Sequence, residues 1–442
     1  MYSPRYSSYF IDLMDWLPED HMAMYSSGIA SQSCTYKGKW VGLPLTAEYV
    51  VLYSNMDLLN KYEKEIPKTW DELINTGKFI LENERKNGNE DLIGYNGLFA
   101  DRESGMMSSQ EFIYSFRKAK DSPFPKYTDQ EAIDALYKIK ELKDALASDI
   151  IFKMEEKETV EKIFNGKAIF IKFFDVWNIH PSYKKTILVG NKEGVSASIL
   201  GGSNIGINKY ISNKRKKEAI EVLKFITSYD IQKFLVINYK IGSGINALYD
   251  DDEVCQVYHC NIAKDIQFIA RPSALTNDYD EYSRTLRKYL NEFLYGDKDA
   301  VEALNEINDI TRIYDIPINY SESSVGFIIF ILTIVIMLII LSSLIFLFIK
   351  KSKEYYNFFS LDLWIIIFTG YIITLFYVFT EYGEVKRWKC HLKYLFISLG
   401  LTLIFIPMLY KLLVNFPYND ENNKFFGWIN QKKNKIIFIS FF

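Results

Sequence analysis

Residues 325–349 form a run of 25 positions without one charged side chain. A helix rises about 1.5 Å per residue, so such a run crosses the roughly 30 Å hydrocarbon layer of a bilayer. A core helix of that length in a water-soluble protein would carry a polar stripe, and none is present here. The run divides the sequence. Before it the composition is mixed and water-compatible; after it the chain is mostly apolar, with less pure spans near 363–379 and 392–413. The closing "KIIFISFF" reads as part of a fourth span. The expected organisation is a water-facing domain at 1–314, a linker at 315–324 and a helical membrane domain at 325–442. The net charge of −3 averages two unlike parts and decides nothing about partners.

The front part alternates between strand and helix signals. "KWVGLPL" and "YVVLYSN" are rich in β-branched and aromatic residues and read as strands. "PKTWDEL" opens a helix, with Thr69 and Glu72 spaced as a capping box. The same signature recurs at Ser108/Glu111 and Thr128/Glu131. The helix after Thr128 places Ile133, Leu136, Tyr137, Ile139 and Leu142 at 3–4 spacing on one face. "VEKIFNGKAIFI" reads as helix, Asn165-Gly166 turn and strand, and 277–313 as two helices broken at Tyr295-Gly296. Such alternation points to an α/β sheet architecture.

Several function classes are excluded. No basic stretch is interleaved with aromatics, so nucleic acid is not an expected partner. No Ser-His-Asp, His-Glu-x-x-His or phosphate-loop pattern occurs, and only four histidines are present, so no catalytic role and no cofactor are expected. Cys255 and Cys260 lie close together in "DDDEVCQVYHCN". A local disulfide is the preferred reading if this part is outside the cell; a zinc site with His259 is the alternative. The opening "MYSPRYSSYF" lacks the apolar core of a signal peptide. The front part is therefore expected either to stay inside the cell or to begin upstream of Met1.

At "GKWVGLPLTAEYVVLYSNMDLLNKYEKEIPKTWDELI" the chain resembles family 1 extracellular solute-binding proteins, the group that includes maltose-binding protein. The matching positions are Gly38, Pro44, Tyr53-Ser54-Asn55, Asp57-Leu58 and Pro67 through Leu73. Further matches follow in family order at "FNGKAIFIKFFDVWNI", "LGGSNIGINKYISNKRKKEAIEVLKFITS" and "ARPSALTNDYDEYS". The resemblance implies two α/β lobes of the periplasmic-binding-protein type that close on a small ligand, often a sugar. It implies a ligand-binding role for Glu48, Tyr53, Trp177, Gly201, Gly202 and Arg271. Each has a plainer alternative: Glu48 as a solvated strand-end carboxylate, Trp177 as core, Gly201-Gly202 as a turn. Family members carry further residues ahead of the part matching "MYSPRYSSYFIDLMDWL", so the first lobe is expected to be incomplete.

"KCHLKYLFISLGLTLIFIPMLYKLLVNFP" resembles the third span of class C (family 3) G-protein-coupled receptors, through Cys390, Gly400 and Lys411. "YYNFFSLDLWIIIFTGYIITLFYVF" fits the second span, with Gly370 as its close-packing glycine. Lys350, Lys351 and Lys353 place the loop after the first span in the cytoplasm and the front part outside a plasma membrane. Together the two resemblances imply a multi-pass receptor, cut at both ends, that senses an outer carbohydrate and engages a heterotrimeric G protein. They also admit a homodimer. The alternative is a membrane-tethered binding protein that serves uptake without signalling.

Overall fold

The computed structural model describes residues 6–26, 28–276, 278–311, 316–321, 323–349, 356–383 and 385–415. Two compact units are present, Met1–Arg312 and Ile313–Phe442. "KIIFISFF" and the lysines at 350, 351 and 353 lie outside the described residues.

The first unit starts with a short hairpin, β1 (Thr35–Tyr36) and β2 (Lys39–Trp40). Next come β3 (Leu43–Glu48), β4 (Val50–Asn55), β5 (Ile93–Tyr95), β6 (Ala168–Phe174) and β7 (Tyr183–Thr186). The last are β8 (Ser198–Ile199), β9 (Gly201–Ile205) and β10 (Phe268–Ile269). Four of them form one sheet in the order β5-β6-β4-β7, with β4 antiparallel to both neighbours.

Every residue of β4 is buried, as expected of a continuous apolar strand covered on both faces. Side chains alternate along a strand. Val50 and Leu52 enter a core with Leu73 and Ile80 of the helix Trp70–Lys86 and Leu136 and Ile139 of Gln130–Leu146. Val51 and Tyr53 enter a second core with Tyr25, Ile220, Leu223 and Val236. A separate antiparallel pair, β3 with β9, runs from Leu43↔Ile205 to Glu48↔Gly201.

Tyr49 alone separates β3 from β4, and Leu200 alone separates β8 from β9. The chain thus passes directly between sheets at Tyr49, next to a second passage at Leu200. They lie side by side: Glu48 pairs with Gly201, and Val50 N donates to Ser198 Oγ at 2.7 Å. The two cores lie on opposite faces of the four-stranded sheet, and the passages connect that sheet with the β3–β9 pair.

Thr69 caps Trp70–Lys86 by accepting from Glu72 N at 3.3 Å, while Glu72 Oε2 takes Lys68 N at 2.8 Å. Asp129, not Thr128, precedes Gln130–Leu146. Gly166 closes Glu156–Asn165 at φ +68°, and the two late helices are Tyr279–Tyr295 and Ala300–Asp309. The Ser108/Glu111 signature is a correction. Both residues are buried inside the helix Glu103–Tyr114. Lys172 Nζ, from β6, donates to Ser108 Oγ at 2.6 Å and Glu111 Oε2 at 2.5 Å, and Glu111 Oε1 accepts from Ile199 N at 2.8 Å. A buried lysine demanded partners, and a serine and glutamate three apart on one helix face supply them. Cys34 is free and buried, and burial pushes its thiol up to about 12, which leaves it unreactive.

The second unit contains three helices long and apolar enough to cross a membrane: Ser324–Phe348, Leu361–Phe379 and Arg387–Val414. The latter two touch at glycines. A Cβ at Gly370 would lie 2.8 Å from Gly400 O, and one at Gly400 would lie 2.2 Å from Thr374 Oγ1. Small residues let helix backbones approach this closely in lipid. Cys390 is free and exposed, and Pro407 lies within the last helix.

Glu84 gives the first unit a defined acid response. Hydrogen bonds from Asn89 and Lys61 hold its carboxyl down at about 2, below the usual carboxylate range. A depressed folded-state value contributes stability above the unfolded value, about 4.3, and that stability is lost as pH falls toward 2. Glu84→Gln is expected to cost about 1–2 kcal/mol at pH 7 and to flatten the stability profile between about pH 5 and 2, read by urea melts across pH.

Candidate functional site

The two passages between sheets gather unusual chemistry at one place. Glu48 ends β3 with an exposed side chain, opposite Gly201 at the start of β9. A Cβ at Gly201 would lie 2.8 Å from Phe174 Cε1 and 3.1 Å from Glu48 Cβ, so glycine is what lets the strands and the Phe174 ring close up. Gly202 sits at φ +98°, where a Cβ would meet Thr46 O at 2.2 Å.

The segment leaving β6 is pinned to the passage. Asp175 N donates to Tyr49 O at 3.0 Å. Tyr53 OH donates to Phe174 O at 2.6 Å and accepts from Val176 N at 2.8 Å. This bracing fixes Asp175 and Trp177. Asp175 Oδ1 takes Lys185 Nζ, from β7, at 2.6 Å, with both side chains buried. The ammonium also lies 4.7 Å from the Trp177 ring, within cation–π range.

A third segment supplies the opposite wall. Cys255 and Cys260 are joined by a disulfide, and the loop between them carries Tyr258 and His259. The cysteines are therefore not zinc ligands, and no group of three metal-binding side chains occurs among the described residues. His259 stacks on Trp177 with ring centroids 4.6 Å apart and planes 2° from parallel. Tyr258 lies 5.4 Å from Trp177 and 5.8 Å from Tyr249. Burial raises the phenols of Tyr49 and Tyr258 far above their ordinary value and pushes Tyr249 up to about 12, so all three remain neutral donors. His259 is lowered by burial and then by the Lys185 charge, so it is neutral at pH 7.

Asp175 Oδ2 and Trp177 Nε1 are both buried and have no hydrogen-bond partner among the described residues. Buried polar atoms are normally paired, and an orphaned acceptor and donor two residues apart mark a place that something polar completes. Aromatic faces, an orphaned carboxylate oxygen, an orphaned indole N–H and an exposed carboxylate together suit a neutral polyhydroxylated solute.

Of the residues expected from sequence, Glu48, Trp177, Gly201 and Gly202 converge on the passage. Tyr53 is fully buried; its role is the brace behind Asp175 and Trp177, not an open contact. Arg271 goes elsewhere, donating to Met107 Sδ at 3.2 Å with Glu103 at 3.6 Å. Sequence reasoning missed Tyr49, Asp175, Lys185, Tyr258 and His259. An aspartate ending the apolar run "AIFIKFF" and a Tyr-His pair enclosed by two cysteines were the available signals.

A family model described as "Bacterial extracellular solute-binding protein" matches residues 7–256. A protein of Deinococcus radiodurans described as "Probable ABC transporter-binding protein" is 27% identical over 293 residues, 62% of this chain and 69% of its own length. Among solved structures, maltose-bound T. maritima MalE3 superposes with a TM-score of 0.58 at 24% identity, covering 70% of this chain and 81% of that one. A solute-binding protein of Thermotoga lettingae bound with α-D-tagatose gives 0.57 at 17% identity, covering 70% and 82%. These likenesses establish a two-lobed periplasmic-binding-protein fold.

The Asp175–Lys185 pair offers a direct check. Lys185→Met leaves a buried carboxylate alone, and loss of one partner of a buried pair costs about 3–5 kcal/mol. Urea titration of the single variant is expected to show that loss, with much of it recovered in Asp175→Asn/Lys185→Met.

Proposed function

Because this chain belongs to the bacterial extracellular solute-binding protein family, we propose that its first unit binds a carbohydrate at the passage between lobes. The observation that carries this is the pair of orphaned buried atoms, Asp175 Oδ2 and Trp177 Nε1, beside an aromatic wall. Sugars present hydroxyls that both donate and accept, and C–H faces that pack on aromatic rings. Asp175 accepts a hydrogen bond from one hydroxyl, Trp177 donates to a second oxygen, and Glu48 reaches a third from the exposed strand end. Gly201 and Gly202 keep the floor low, and Tyr53 holds the segment in place from behind. Arg271 acts at most by bracing Glu103. The maltose and tagatose seen with the solved relatives are of this chemistry.

Isothermal titration of the full chain in detergent with maltose, maltotriose and xylotriose tests this reading. Saturable binding of at least one is expected, weakened about tenfold (1.4 kcal/mol) or more by Trp177→Ala and by Glu48→Gln. Absence of binding to all three at millimolar concentration would remove the carbohydrate assignment.

For the second unit the reading is a class C receptor membrane domain coupled to solute binding and to a heterotrimeric G protein. It is favoured by the Gly370–Gly400 contact, since both glycines are positions the resemblance singles out. It is favoured also by the way the chain enters this unit. Ile316 pairs with Tyr382, in the loop joining the last two helices, and Tyr382 OH donates to Gly326 O in the first helix at 2.7 Å. The entering segment is thus tied to the first helix and to the loop between the other two, where a simple tether needs one contact. Sugar-dependent nucleotide exchange on a G protein in native membranes is the expected result. Exchange that ignores sugar, with binding intact, would leave membrane-tethered solute capture for uptake.

A further inference from the structure

We infer that the Cys255–Cys260 disulfide is the positioning element of the site's outer wall, and that its reduction weakens solute binding. The effect on affinity rests on the carbohydrate reading above; the positioning does not.

The loop closed by the disulfide is held by short elements: Tyr258 N donates to Val254 O at 2.9 Å, Cys260 N donates to Tyr258 O at 2.9 Å, and the disulfide ties its two ends. Cys255 ends a helix of four residues, Asp252–Cys255, and Cys260 begins one of six, Cys260–Asp265. Helices this short do not persist by their own hydrogen bonds. The near end is anchored. Asp251 caps the first helix through Glu253 N and Val254 N, pairs with Lys233 at 2.7 Å, and accepts from Tyr229 at 3.0 Å. Val254 is fully buried, and Tyr258 is buried against Tyr249 and Trp177.

His259 differs. One face of its ring lies on Trp177 and the rest is open to solvent, and the covalent link at the next residue, with Ala263 N donating to His259 O at 3.1 Å, turns the chain so that the imidazole lies flat on the indole. Cys255 is itself exposed, so the bond is open to attack from solvent. A small dithiol would supply two electrons and two protons. Its thiolate attacks one sulfur, the Cys255–Cys260 bond breaks to two thiols, and the dithiol closes to its own disulfide. With the link cut, Tyr258 stays in its apolar seat, while His259 loses the covalent constraint against Trp177 and keeps only the backbone bond from Ala263. The wall then presents one ring in place of two.

The test uses the full chain with histidine labelled at Cε1. An imidazole stacked 4.6 Å over an indole feels its ring current, so His259 should resonate upfield of the other three histidines, with His259→Ala giving the assignment. Dithiothreitol, and separately Cys255→Ser/Cys260→Ser, should abolish that upfield shift. Maltotriose affinity should fall about tenfold in the same samples, with the thermal midpoint still cooperative. An unchanged His259 shift in the reduced, folded protein would overturn the inference. So would loss of the shift with maltotriose affinity intact. If no saccharide binds even the oxidised protein while the shift still collapses on reduction, the carbohydrate reading fails and the positioning role stands.

Discussion

Everything at the candidate site depends on the contact of Glu48 with Gly201. Two strands change sheets within one residue of each other, and they do so side by side. A side chain at position 201 would drive into Phe174 and Glu48, so glycine there sets how near the two passages come. The near approach has consequences in sequence. Tyr49 O becomes the acceptor for Asp175 N, and Tyr53, four residues on, reaches Phe174 O and Val176 N. Asp175 and Trp177 therefore take their places from backbone geometry set elsewhere. Two adjacent single-residue connections also leave little slack between the four-stranded sheet and the β3–β9 pair.

The contrast with the buried charge beside β6 sharpens the assignment. Lys172 and Glu111 are as deeply buried as Asp175 and Lys185, but there both charged groups are met. Lys172 Nζ has Ser108 and Glu111, and Glu111 uses both oxygens. Asn96 closes the neighbouring backbone by donating to Lys172 O and accepting from Lys172 N. The fold can saturate a buried ion pair where it needs only stability. At Asp175 it leaves one oxygen unmet, next to an indole N–H in the same condition. Other buried polar atoms are unmet as well, Ser54 Oγ and Thr186 Oγ1 of the same sheet among them, and what sets the passage apart is that a carboxylate oxygen and an indole N–H are unmet two residues from one another.

The outline of the fold was legible because it rests on period and punctuation. The uncharged run at 325–349 marked the first span, and the Thr69 and Gly166 signals fixed helix ends that the structure confirms. What failed were inferences that treat a local pattern as self-sufficient. Ser108 and Glu111 have capping-box spacing, yet their partner is Lys172, some sixty residues on, and no local rule carries that information. For Tyr53 and Arg271 too, the local pattern does not say where the side chain goes. The motif placed them correctly along the chain, but strand alternation turned Tyr53 inward, and Arg271 met Met107 and Glu103. Tyr258 and His259 were hidden for the opposite reason. The two cysteines drew attention to the loop, but which face it presents depends on Trp177, about eighty residues earlier.

The receptor reading proposed for the second unit poses the remaining mechanical question, how its three apolar helices would respond to solute. A ligand shifts a conformational balance only through its different affinity for the two states. Under the carbohydrate proposal, the unmet atoms near Trp177 would provide such a difference, because a bound solute would complete them. Transmission then needs an entry point that cannot slip. Ile316 meets this need: its carbonyl accepts from Gly383 N at 3.0 Å, and a Cβ on Gly326 would lie 2.7 Å from its Cγ2. Packing this tight resists gradual sliding.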